Sequence, residues 1–525
     1  MNQKDLVRAL VRDRPFPDRP RQVRLVQTHM SYVFLTHRFV YKIKKALDLG
    51  FADFSTPALR RRFCHVEVSL NRRLAPRVYL GVTPIVMANG RPVLGGRGRA
   101  VEYAVIMRRL PDAWLLARRL KRGPGDYARI TRVAEHLARF YAGTRVSSRD
   151  RDAGPRAIAR IVQDNFEVMG KFTGEIFDSK TVADLRRWSN AEHARLAPLI
   201  ARRARQGKAV HGHGDLHLAH IYVNGDVEIL DCTEFARRFR VGDVAQDISF
   251  LAMDLEARGR LDLSRHLVHV LARRLRDPDL PKLVPYYKVY RALVRAKVNA
   301  LLSAEREVPT PAREAARRRG ARYLRLASRI ARWRGSPALV VMAGLTGTGK
   351  TRWALDIAAR YGIEWIATDV VRKRLAGIDP FTRAGEAAGG GIYDAAQTAR
   401  TMRAVLVEAE DLLCAGRPVV LDGTFQRRSD RDAARLLARR LGVPVRFVIC
   451  HARSPVVRRR LGERRRRPAL SDGRWPIYLL QRRTSEPPDE VPREERLDID
   501  TTLSSAAIRR RMDALLRPLA EPPRN

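Results

Sequence analysis

The feature that most constrains this chain is a glycine-rich segment with the pattern G-x-x-x-x-G-K-[ST]. Its residues are Gly344, Leu345, Thr346, Gly347, Thr348, Gly349, Lys350 and Thr351. An apolar run over 338–343 precedes the segment and predicts a buried strand, and residues 352–359 predict the start of a helix. In a strand, loop and helix arranged in this order, backbone N–H groups and the helix N-terminus surround phosphate oxygens. The segment therefore predicts a nucleotide-binding site.

The last two residues of the segment carry its chemistry. The pattern predicts that Lys350 reaches the β- and γ-phosphates and that the Thr351 hydroxyl holds Mg²⁺. The alternative is a chance match, because four fixed positions recur by accident in roughly a few per cent of chains of this length. The predicted strand before the segment and the predicted helix after it argue against chance. We therefore expect ATP and Mg²⁺ as cofactors.

Length and composition set the broad class of the protein. A chain of 525 residues predicts about two to four domains. Its apolar runs reach roughly half the length of a membrane-spanning helix, and residues 1–5 contain no apolar secretory segment. The cysteines form no C-x-x-C pair, which favours a reducing cytoplasm over a disulfide framework or a zinc site. We expect a cytoplasmic protein without a membrane partner; the cysteines are Cys64, Cys232, Cys414 and Cys450.

The net charge of +46 has two interpretations. A strongly basic balance is typical of nucleic-acid-binding proteins. However, only 13 of the 102 basic residues are lysine, and the arginines are spread along the whole chain, often as pairs in helical segments. This distribution favours an arginine-rich codon bias with solvated helix faces. Nucleic acid is therefore the less favoured partner, and a small-molecule acceptor is the favoured one.

A second group of polar residues lies over 211–235, which reads HGHGDLHLAHIYVNGDVEILDCTEF. Asp215 lies in a short polar loop, and Asp231 follows the second strand of a predicted hairpin. Two carboxylates at the ends of such a hairpin can face one cleft, where one orients an acceptor hydroxyl and the other holds Mg²⁺. The alternative is that these histidines and aspartates only cap turns.

This segment resembles the catalytic loop of aminoglycoside phosphotransferases and related small-molecule kinases, which carries H-G-D-x-H-x-x-N and then a metal-binding Asp. The resemblance implies that Asp215 is the catalytic Asp and that Asp231 binds the metal. It places His220 where the family has a metal-binding Asn. Histidine is a poorer ligand for Mg²⁺ than asparagine is. The site is therefore expected to bind a single metal ion, to use a metal other than Mg²⁺, or to bind metal more weakly. Downstream, Asp243 and Asp247 are expected to brace the loop.

The same resemblance extends upstream of the loop. Lys42 matches the lysine that contacts the α- and β-phosphates, and Glu67 matches its partner glutamate on a helix. Lys44 shares a strand face with Lys42 and is the alternative lysine. Residues 28–31 occupy the turn where the family carries a G-x-G-x-x-G loop. The pattern predicts strands over 23–26, 32–35 and 39–43, then mainly helices from 57 onward, among them 130–141 and 185–205.

After the glycine-rich segment, a predicted strand over 365–368 is followed by Asp369 and Arg372 in a D-x-x-R pattern. The pattern resembles P-loop kinases of small hydroxyl acceptors and the phage polynucleotide kinase group. It implies that Asp369 accepts the acceptor's proton and that Arg372 holds the acceptor or the transition state. A carboxylate at the end of such a strand lies beside the phosphate loop. The alternative is that Asp369 only caps the next helix.

Two further features complete the predicted C-terminal site. The apolar strand over 418–421 ends at Asp422, a pattern typical of the carboxylate that holds Mg²⁺ through water. A later helix carries Arg460 and Arg464 four residues apart on one face, where P-loop kinases have a lid whose arginines contact the transferring phosphoryl group. The alternative is that the arginine run over 464–467 is merely solvated.

Taken together, the predicted N-terminal and C-terminal site residues resemble those of one bacterial bifunctional architecture. In it, an aminoglycoside-phosphotransferase-like domain is fused to a P-loop, AAA-type kinase-like domain. The segments 51–56 and 70–75 are also similar to that group. We expect a bilobal protein-kinase-like α+β domain over 1–330, a linker over 331–337, and an α/β domain over 338–525 with a parallel sheet covered by helices on both faces. The expected function is phosphoryl transfer from ATP to a hydroxyl-bearing acceptor. The alternatives are an ATP-binding regulator with a degenerate N-terminal domain and a nucleic-acid 5′-hydroxyl kinase.

Overall fold

The computed structural model describes residues 2–48, 50, 52–121, 123, 125–147, 149–305, 308–333, 335–384, 390–465 and 469–521, with only the backbone for residue 465. Residue 51 of the segment 51–56, residue 334 of the predicted linker and residues 466–467 of the arginine run lie outside this range. Internal contacts divide the chain into an N-terminal unit, Met1–Leu120 with Arg129–Leu324, and a C-terminal unit, Lys121–Ala128 with Arg325–Asn525. The linker over 331–337 stays a prediction.

An antiparallel sheet opens the N-terminal unit, with the strand order β1-β2-β3-β6-β4-β5. Its strands are β1 (Arg24–Gln27), β2 (Ser31–Leu35), β3 (Phe39–Lys44), β4 (Tyr79–Ala88), β5 (Arg91–Leu94) and β6 (Ala100–Arg108). Side chains alternate across β3, so Tyr41 and Ile43 join an apolar cluster with helix α1 (Gln3–Asp13), while Lys42 and Lys44 face helix α2 (Pro57–Asn71). The sheet therefore holds two ammonium groups under one helix.

The sequence pattern was wrong for the stretch from 79 to 108, where it predicted mainly helices and the structure has three strands, β4, β5 and β6. The pairing of β4 with β6 is interrupted by register shifts at Tyr79/Gly81 and Ile85/Val86. Each shift reverses which side chains face the core, so a strict period of two is lost. Both faces of β6 are also packed, since Ala104 belongs to the apolar cluster with α1 and Val105 to the one with α2, which further weakens alternation.

The rest of the N-terminal unit is mostly helical. Two short ladders lie within it, formed by β7 (Ala209–His211) with β10 (Val241–Asp243) and by β8 (Ile221–Asn224) with β9 (Asp226–Ile229). The helices are α3 (Leu116–Arg119), α4 (Asp126–Ala142), α5 (Pro155–Gly170), α6 (Ser179–Arg205), α7 (Val244–Ala257), α8 (Leu261–Arg274), α9 (Leu280–Ala304) and α10 (Thr310–Ile330). Helices α4 and α10 cross the division between the units. The predicted bilobal α+β class is confirmed.

A parallel sheet forms the centre of the C-terminal unit, with the strand order β12-β13-β11-β14-β15. Its strands are β11 (Leu339–Ala343), β12 (Glu364–Ala367), β13 (Val419–Asp422), β14 (Val445–His451) and β15 (Arg496–Asp500). The helices are α11 (Lys350–Tyr361), α12 (Thr368–Leu375), α13 (Ala395–Cys414), α14 (Arg428–Arg440), α15 (Ser454–Arg465), α16 (Trp475–Thr484) and α17 (Ser505–Ala520). This arrangement confirms the predicted P-loop α/β class.

Short 3-10 turns link several of these elements, and they span Asp112–Trp114, Leu218–His220, Arg237–Phe239, Gly391–Tyr393 and Arg493–Glu495. Among the residues that the structure describes, no helix has both the length and the apolar composition needed to cross a lipid bilayer.

A buried ion-pair network fixes the end of helix α6 to the start of helix α7. The Arg203 side chain is 1% exposed and donates hydrogen bonds to both carboxylate oxygens of Asp243, at 2.7 and 2.9 Å, and to both of Asp277, at 2.6 and 2.9 Å. Asp243 also caps α7 by accepting a hydrogen bond from the Ala245 amide. Removal of the guanidinium would leave the two buried carboxylates without the hydrogen bonds that Arg203 donates to them.

We expect Arg203→Ala to lower the free energy of opening of α7 by about 3–5 kcal/mol, because it leaves uncompensated buried charge. Native-state hydrogen exchange of the α7 amides in the full chain measures this quantity. The neighbouring Arg202→Ala is the control, since Arg202 is 52% exposed and its pair with Asp279 is worth about 0–1 kcal/mol. Equal losses in the two variants would contradict the assignment.

Candidate functional site

The predicted residues of the C-terminal site lie at one edge of the parallel sheet. The glycine-rich segment follows β11, Asp422 ends β13, and Asp369 lies in the first turn of α12, directly after β12. Parallel strands bring their carboxyl ends to the same edge, and ligands of open α/β sheets bind there. The residue that caps α12 is Ala367, not Asp369. The capping alternative for Asp369 therefore finds no support in the geometry.

The glycine-rich segment forms a loop that larger residues would obstruct. Gly344 has φ 131°, and a Cβ atom there would lie 2.2 Å from the carbonyl oxygen of Cys450. Gly349 has φ 98° and caps α11, whose N-terminus begins at Lys350. Left-handed backbone at these two positions curls the loop around the helix N-terminus, which favours anions. The loop therefore fits the phosphate groups of ATP.

Desolvation shapes the charges of Lys350 and Asp422. The Lys350 ammonium donates a hydrogen bond to the Leu345 carbonyl, at 2.8 Å, and burial lowers the pKa of this lysine. Burial raises the pKa of Asp422 to about 6, against the opposing effects of Lys350, a hydrogen bond from Thr351 and one from Trp365. The carboxylate of Asp422 and the hydroxyl of Thr351 lie together and offer the oxygen ligands that Mg²⁺ prefers. The donor set therefore fits Mg²⁺.

Beside Asp369 lies a polar cluster that the sequence analysis only partly predicted. Arg372 donates from Nη1 to the Ile392 carbonyl at 2.9 Å and to Thr398 Oγ1 at 3.0 Å, and its guanidinium lies over the Tyr393 ring. Its Nε is buried and has no hydrogen-bond partner among the described residues. Such an unsatisfied buried donor is a candidate contact for an acceptor oxygen.

Three residues of this cluster were not predicted from the sequence. Tyr393 donates its hydroxyl proton to Asp472 at 2.8 Å, and the pKa of Tyr393 is raised by burial and by the carboxylates of Asp369 and Asp472. The fully buried Lys373 donates to Asp472 at 3.1 Å. The D-x-x-R pattern is followed directly by Lys373, but Tyr393 and Asp472 lie in loops that carry no motif.

The two predicted lid arginines have different surroundings. Arg460 donates to the Thr348 carbonyl at 3.3 Å and to Oγ1 of Thr501 at 2.9 Å, so it holds the outside of the phosphate loop. Burial lowers the pKa of Arg464, and the carboxylates of Asp369 and Asp422 oppose that effect. Arg464 is therefore close enough to both carboxylates, Asp369 and Asp422, to interact with them electrostatically. The remainder of the 464–467 run has no described side chains, so the alternative of a solvated run is untested there.

In the N-terminal unit, the predicted lysine and glutamate meet beneath α2. Lys42 Nζ lies 2.9 Å from Glu67 Oε1 and 2.6 Å from Asp231 Oδ1. Lys44 also pairs with Glu67, at 2.7 Å, and with Glu234, and its side chain is 1% exposed. Lys42 lies nearer the solvent and contacts Asp231 directly, so the geometry favours Lys42 over Lys44 for a ligand contact. Glu234 was not predicted, although it lies three residues after Asp231.

The loop that carries Asp215 is held in place by Asp247. The carboxylate of Asp247 accepts hydrogen bonds from the amides of His213, at 2.8 Å, and Gly214, at 2.7 Å, and from the hydroxyl of Tyr141 at 2.9 Å. A Cβ atom at Gly214, where φ is 85°, would lie 2.9 Å from the Thr233 hydroxyl. The expected bracing role of Asp247 is confirmed, and Asp243 braces the start of α7.

Asp215, Asp231 and His220 converge at this loop, and His217 joins them. Asp215 Oδ2 lies 3.5 Å from His217 Nε2 and 3.7 Å from His220 Nδ1, while His220 Nε2 lies 3.6 Å from Asp231 Oδ2. Asp231 has φ 65°, a left-handed conformation that turns its side chain back to Lys42. The ligand atoms of Asp215, His217 and His220 lie within 4.8 Å of one another.

The pKa shifts in this cluster favour charged carboxylates beside neutral imidazole. Burial lowers the pKa of His220 to about 4. Desolvation opposes ionisation of Asp231, but the Lys42 ammonium holds its pKa well below the usual range. At neutral pH, His220 is therefore an uncharged nitrogen donor beside carboxylate oxygens. This mixed set fits Mg²⁺ less well than an all-oxygen set does.

The titration of Asp422 can be followed through its hydrogen bond from the Trp365 indole, which spans 3.3 Å. We expect the part of the tryptophan fluorescence that Trp365→Phe removes to change with pH with a midpoint near 6, because protonation of Asp422 neutralises the charge beside the indole. In Asp422→Asn this change should be absent. A midpoint at the ordinary carboxyl value of about 3.9 would contradict the effect of burial.

Comparison with known proteins finds a domain family in the C-terminal unit and relatives that cover most of the chain. Residues 339–474 match the protein family described as AAA domain. An uncharacterized protein of Mycobacterium tuberculosis (strain ATCC 25618 / H37Rv) is 32% identical over 430 residues, which cover 82% of each chain. An uncharacterized protein of Mycobacterium bovis matches to the same extent.

Solved structures of two kinases are similar to parts of the chain. A choline/ethanolamine kinase family protein from Mesorhizobium loti covers 61% of this chain and 97% of its own, with 13% identity and a TM-score of 0.36. A gluconokinase from Sinorhizobium meliloti covers 36% of this chain and 95% of its own, with 24% identity and a TM-score of 0.25. The AAA-domain match over 339–474 falls within the C-terminal unit, as the glycine-rich segment predicts. The chain belongs to the same family as the two mycobacterial proteins.

Proposed function

We propose that this protein is an ATP-dependent phosphotransferase and that its C-terminal unit transfers the γ-phosphoryl group of ATP to a hydroxyl group of a small molecule. The observation that carries the proposal is the convergence of the phosphate loop, Asp422 and Asp369 at one sheet edge. Arg464 also interacts electrostatically with both carboxylates. Phosphoryl transfer depends mainly on positioning and on stabilisation of the spreading negative charge. These groups supply both.

Each residue has one role in the proposed site. Lys350 and the amides of the loop bind the β- and γ-phosphates, and Thr351 with Asp422 would hold Mg²⁺, which neutralises phosphate charge when it is bound. Asp369 accepts a hydrogen bond from the acceptor hydroxyl and orients its oxygen toward the γ-phosphorus. Arg464 stabilises the negative charge on the equatorial oxygens.

The acceptor side suits a molecule with more than one hydroxyl group. Asp369 offers an acceptor for one hydroxyl proton, and the unpartnered Nε of Arg372 offers a buried donor. Tyr393 stacks on Arg372, which fixes the orientation of the guanidinium plane. A buried donor that makes no hydrogen bond costs free energy. A hydrogen bond from Nε to a substrate oxygen would therefore contribute more to the binding free energy than one from a solvated group.

The N-terminal unit is the second candidate for phosphoryl transfer. Its support is the pairing of Lys42 with Glu67 and Asp231 beside Asp215. In that role Lys42 contacts the nucleotide phosphates, Asp215 orients the acceptor and Asp231 holds the metal. The competing proposal is an ATP-binding regulatory unit, which the mixed ligand set of His220 and the absence of a glycine-rich loop at 28–31 favour.

Transfer of labelled γ-phosphate from Mg-ATP into a cytoplasmic metabolite extract tests the proposal. We expect a labelled product with wild type, its loss in Lys350→Ala, and a large decrease in Asp369→Asn. Lys282→Ala is the control, because Lys282 forms only a surface pair with Asp279. If Asp231→Asn, rather than Lys350→Ala, abolishes the product, the N-terminal unit is the working site. ATP binding without any product would support the regulatory alternative.

The same assay separates a small acceptor from a nucleic acid. For a 5′-hydroxyl kinase, labelled DNA or RNA ends should appear, and the affinity for the nucleic acid should fall steeply with salt concentration. A labelled small molecule, formed at a rate that changes little with salt, supports the proposed acceptor class.

The two lid arginines should differ in their effect on turnover. We expect Arg464→Ala to lower kcat by about 10²-fold or more, since Arg464 interacts electrostatically with both Asp369 and Asp422 and is proposed to stabilise the transferring phosphoryl group. Arg460→Ala should mainly raise KM for ATP, because Arg460 supports the loop through Thr348 and Thr501. Arg459→Ala is the matched control, as Arg459 lies on the same helix and is 72% exposed. Equal effects on kcat at positions 460 and 464 would be inconsistent with the separate roles.

A further inference from the structure

The histidines of the N-terminal unit point to a metal site that differs from the one the resemblance implies. Three side chains, Asp215, His217 and His220, bring their ligand atoms within 4.8 Å of one another. All three belong to one short segment, in which Asp215 and His217 precede the 3-10 turn Leu218–His220. Asp247 fixes the start of that segment through the His213 and Gly214 amides. The cluster therefore lies on a braced loop.

The distances between the Asp215 carboxylate and the two imidazole rings are longer than the usual hydrogen-bond distance and are close to the spacing of two ligands on one ion. Hydrogen bonds of this type span about 2.7–3.2 Å, whereas Asp215 Oδ2 lies 3.5 Å from His217 Nε2 and 3.7 Å from His220 Nδ1. Ligands on a tetrahedral ion with bonds of about 2.0–2.1 Å are about 3.3–3.4 Å apart. Small movements of the three side chains would bring them to that spacing.

Both ring nitrogens of His220 face oxygen. Nδ1 lies 3.0 Å from the Asp215 carbonyl, and Nε2 lies 3.6 Å from Asp231 Oδ2. If Nε2 binds the ion, the Nδ1–H group donates to the Asp215 carbonyl and Asp231 is the adjacent oxygen ligand. If Nδ1 binds the ion, the Nε2–H group faces the Asp231 carboxylate. Either arrangement orients the ring as metal-bound histidines are usually oriented.

His217 requires one rearrangement. Its Nδ1 accepts a hydrogen bond from the Ala219 amide at 3.3 Å, which leaves the ring proton on Nε2. Binding of an ion at Nε2 moves this proton to Nδ1 and breaks that bond, which is already at the long end of the usual range. The ring of His217 lies against that of His220, with centroids 3.8 Å apart and a tilt of 36°, so the two rings are neighbours.

We propose that Asp215, His217 and His220 bind a divalent transition metal ion such as Zn²⁺, with Asp231 as a neighbouring carboxylate. Two imidazole nitrogens with carboxylate oxygen favour such an ion over Mg²⁺, which prefers oxygen ligands and octahedral geometry. Binding of the ion also lowers the basicity of Asp215. An occupied site would therefore withdraw Asp215 from the role of general base and leave the N-terminal unit as a metal-dependent binding or regulatory unit. The proposal concerns metal binding alone and does not depend on phosphoryl transfer.

Metal titration of the full chain tests the proposal in the absence of nucleotide. We expect chelator-treated protein to bind one Co²⁺ with visible ligand-field absorption, and Zn²⁺ to displace the Co²⁺ while an excess of Mg²⁺ does not. His220→Asn should weaken Zn²⁺ and Co²⁺ binding roughly 10- to 100-fold. Asp215→Asn should weaken it as well, whereas Lys350→Ala should leave it unchanged, because the phosphate loop belongs to the other unit.

His37 provides the matched control, since its Nδ1 also lies 3.7 Å from an aspartate oxygen, Asp18 Oδ2, but belongs to no three-residue cluster among the described residues. His37→Asn should bind Co²⁺ like wild type. A second measurement guards against misfolded variants: Zn²⁺ should raise the midpoint of thermal unfolding in wild type and His37→Asn but not in His220→Asn. The proposal is overturned if wild type fails to bind Zn²⁺ stoichiometrically, if Mg²⁺ competes equally, or if His220→Asn binds as wild type does.

Discussion

Parallel strands end at one edge of their sheet, and in the C-terminal unit that edge collects the phosphate loop, Asp369 and Asp422. The strand order places β11 between β13 and β14, so the loop after β11 has a carboxylate-bearing strand end on one side. None of these charged groups is adjacent in sequence. Their proximity follows from strand direction alone, and the helices that follow each strand add N-terminal dipoles that favour bound phosphate.

The N-terminal unit also brings charged side chains together, but its sheet does so in a different way. In its antiparallel sheet, the carboxyl ends of neighbouring strands point to opposite edges. Strand direction alone therefore does not bring the site residues together. Instead, the pleat of β3 places two lysines on the face covered by α2, and Glu67 lies between them. Separately, the Asp247 carboxylate holds two consecutive amides, which fixes the loop before Asp215. Lys42 then joins the two parts through Asp231.

Sequence reasoning succeeded where a local pattern encodes a local shape. The glycine-rich segment, the hairpin before Asp231 and the strand ending at Asp422 each predict their own backbone, and all three are present. It failed for β4 to β6, because bulges and burial on both faces remove the alternation that reveals a strand. It also missed Tyr393 and Asp472, which reach the site from loops with no motif of their own. Such residues are brought in by tertiary folding, and a single sequence carries no local signal for them.

The electrostatics of the C-terminal site make sense only with a ligand present. Burial favours the neutral forms of both Lys350 and Asp422, and in the described structure Lys350 donates to a backbone carbonyl. Two buried ionisable groups held in this way contribute little to the stability of the fold. Triphosphate oxygens would favour the charged form of Lys350, and a dication would favour that of Asp422, so a bound ligand would oppose the effect of burial on both groups. A site arranged in this way is typical of function rather than of stability, because charges kept without full partners are costly unless a ligand completes them.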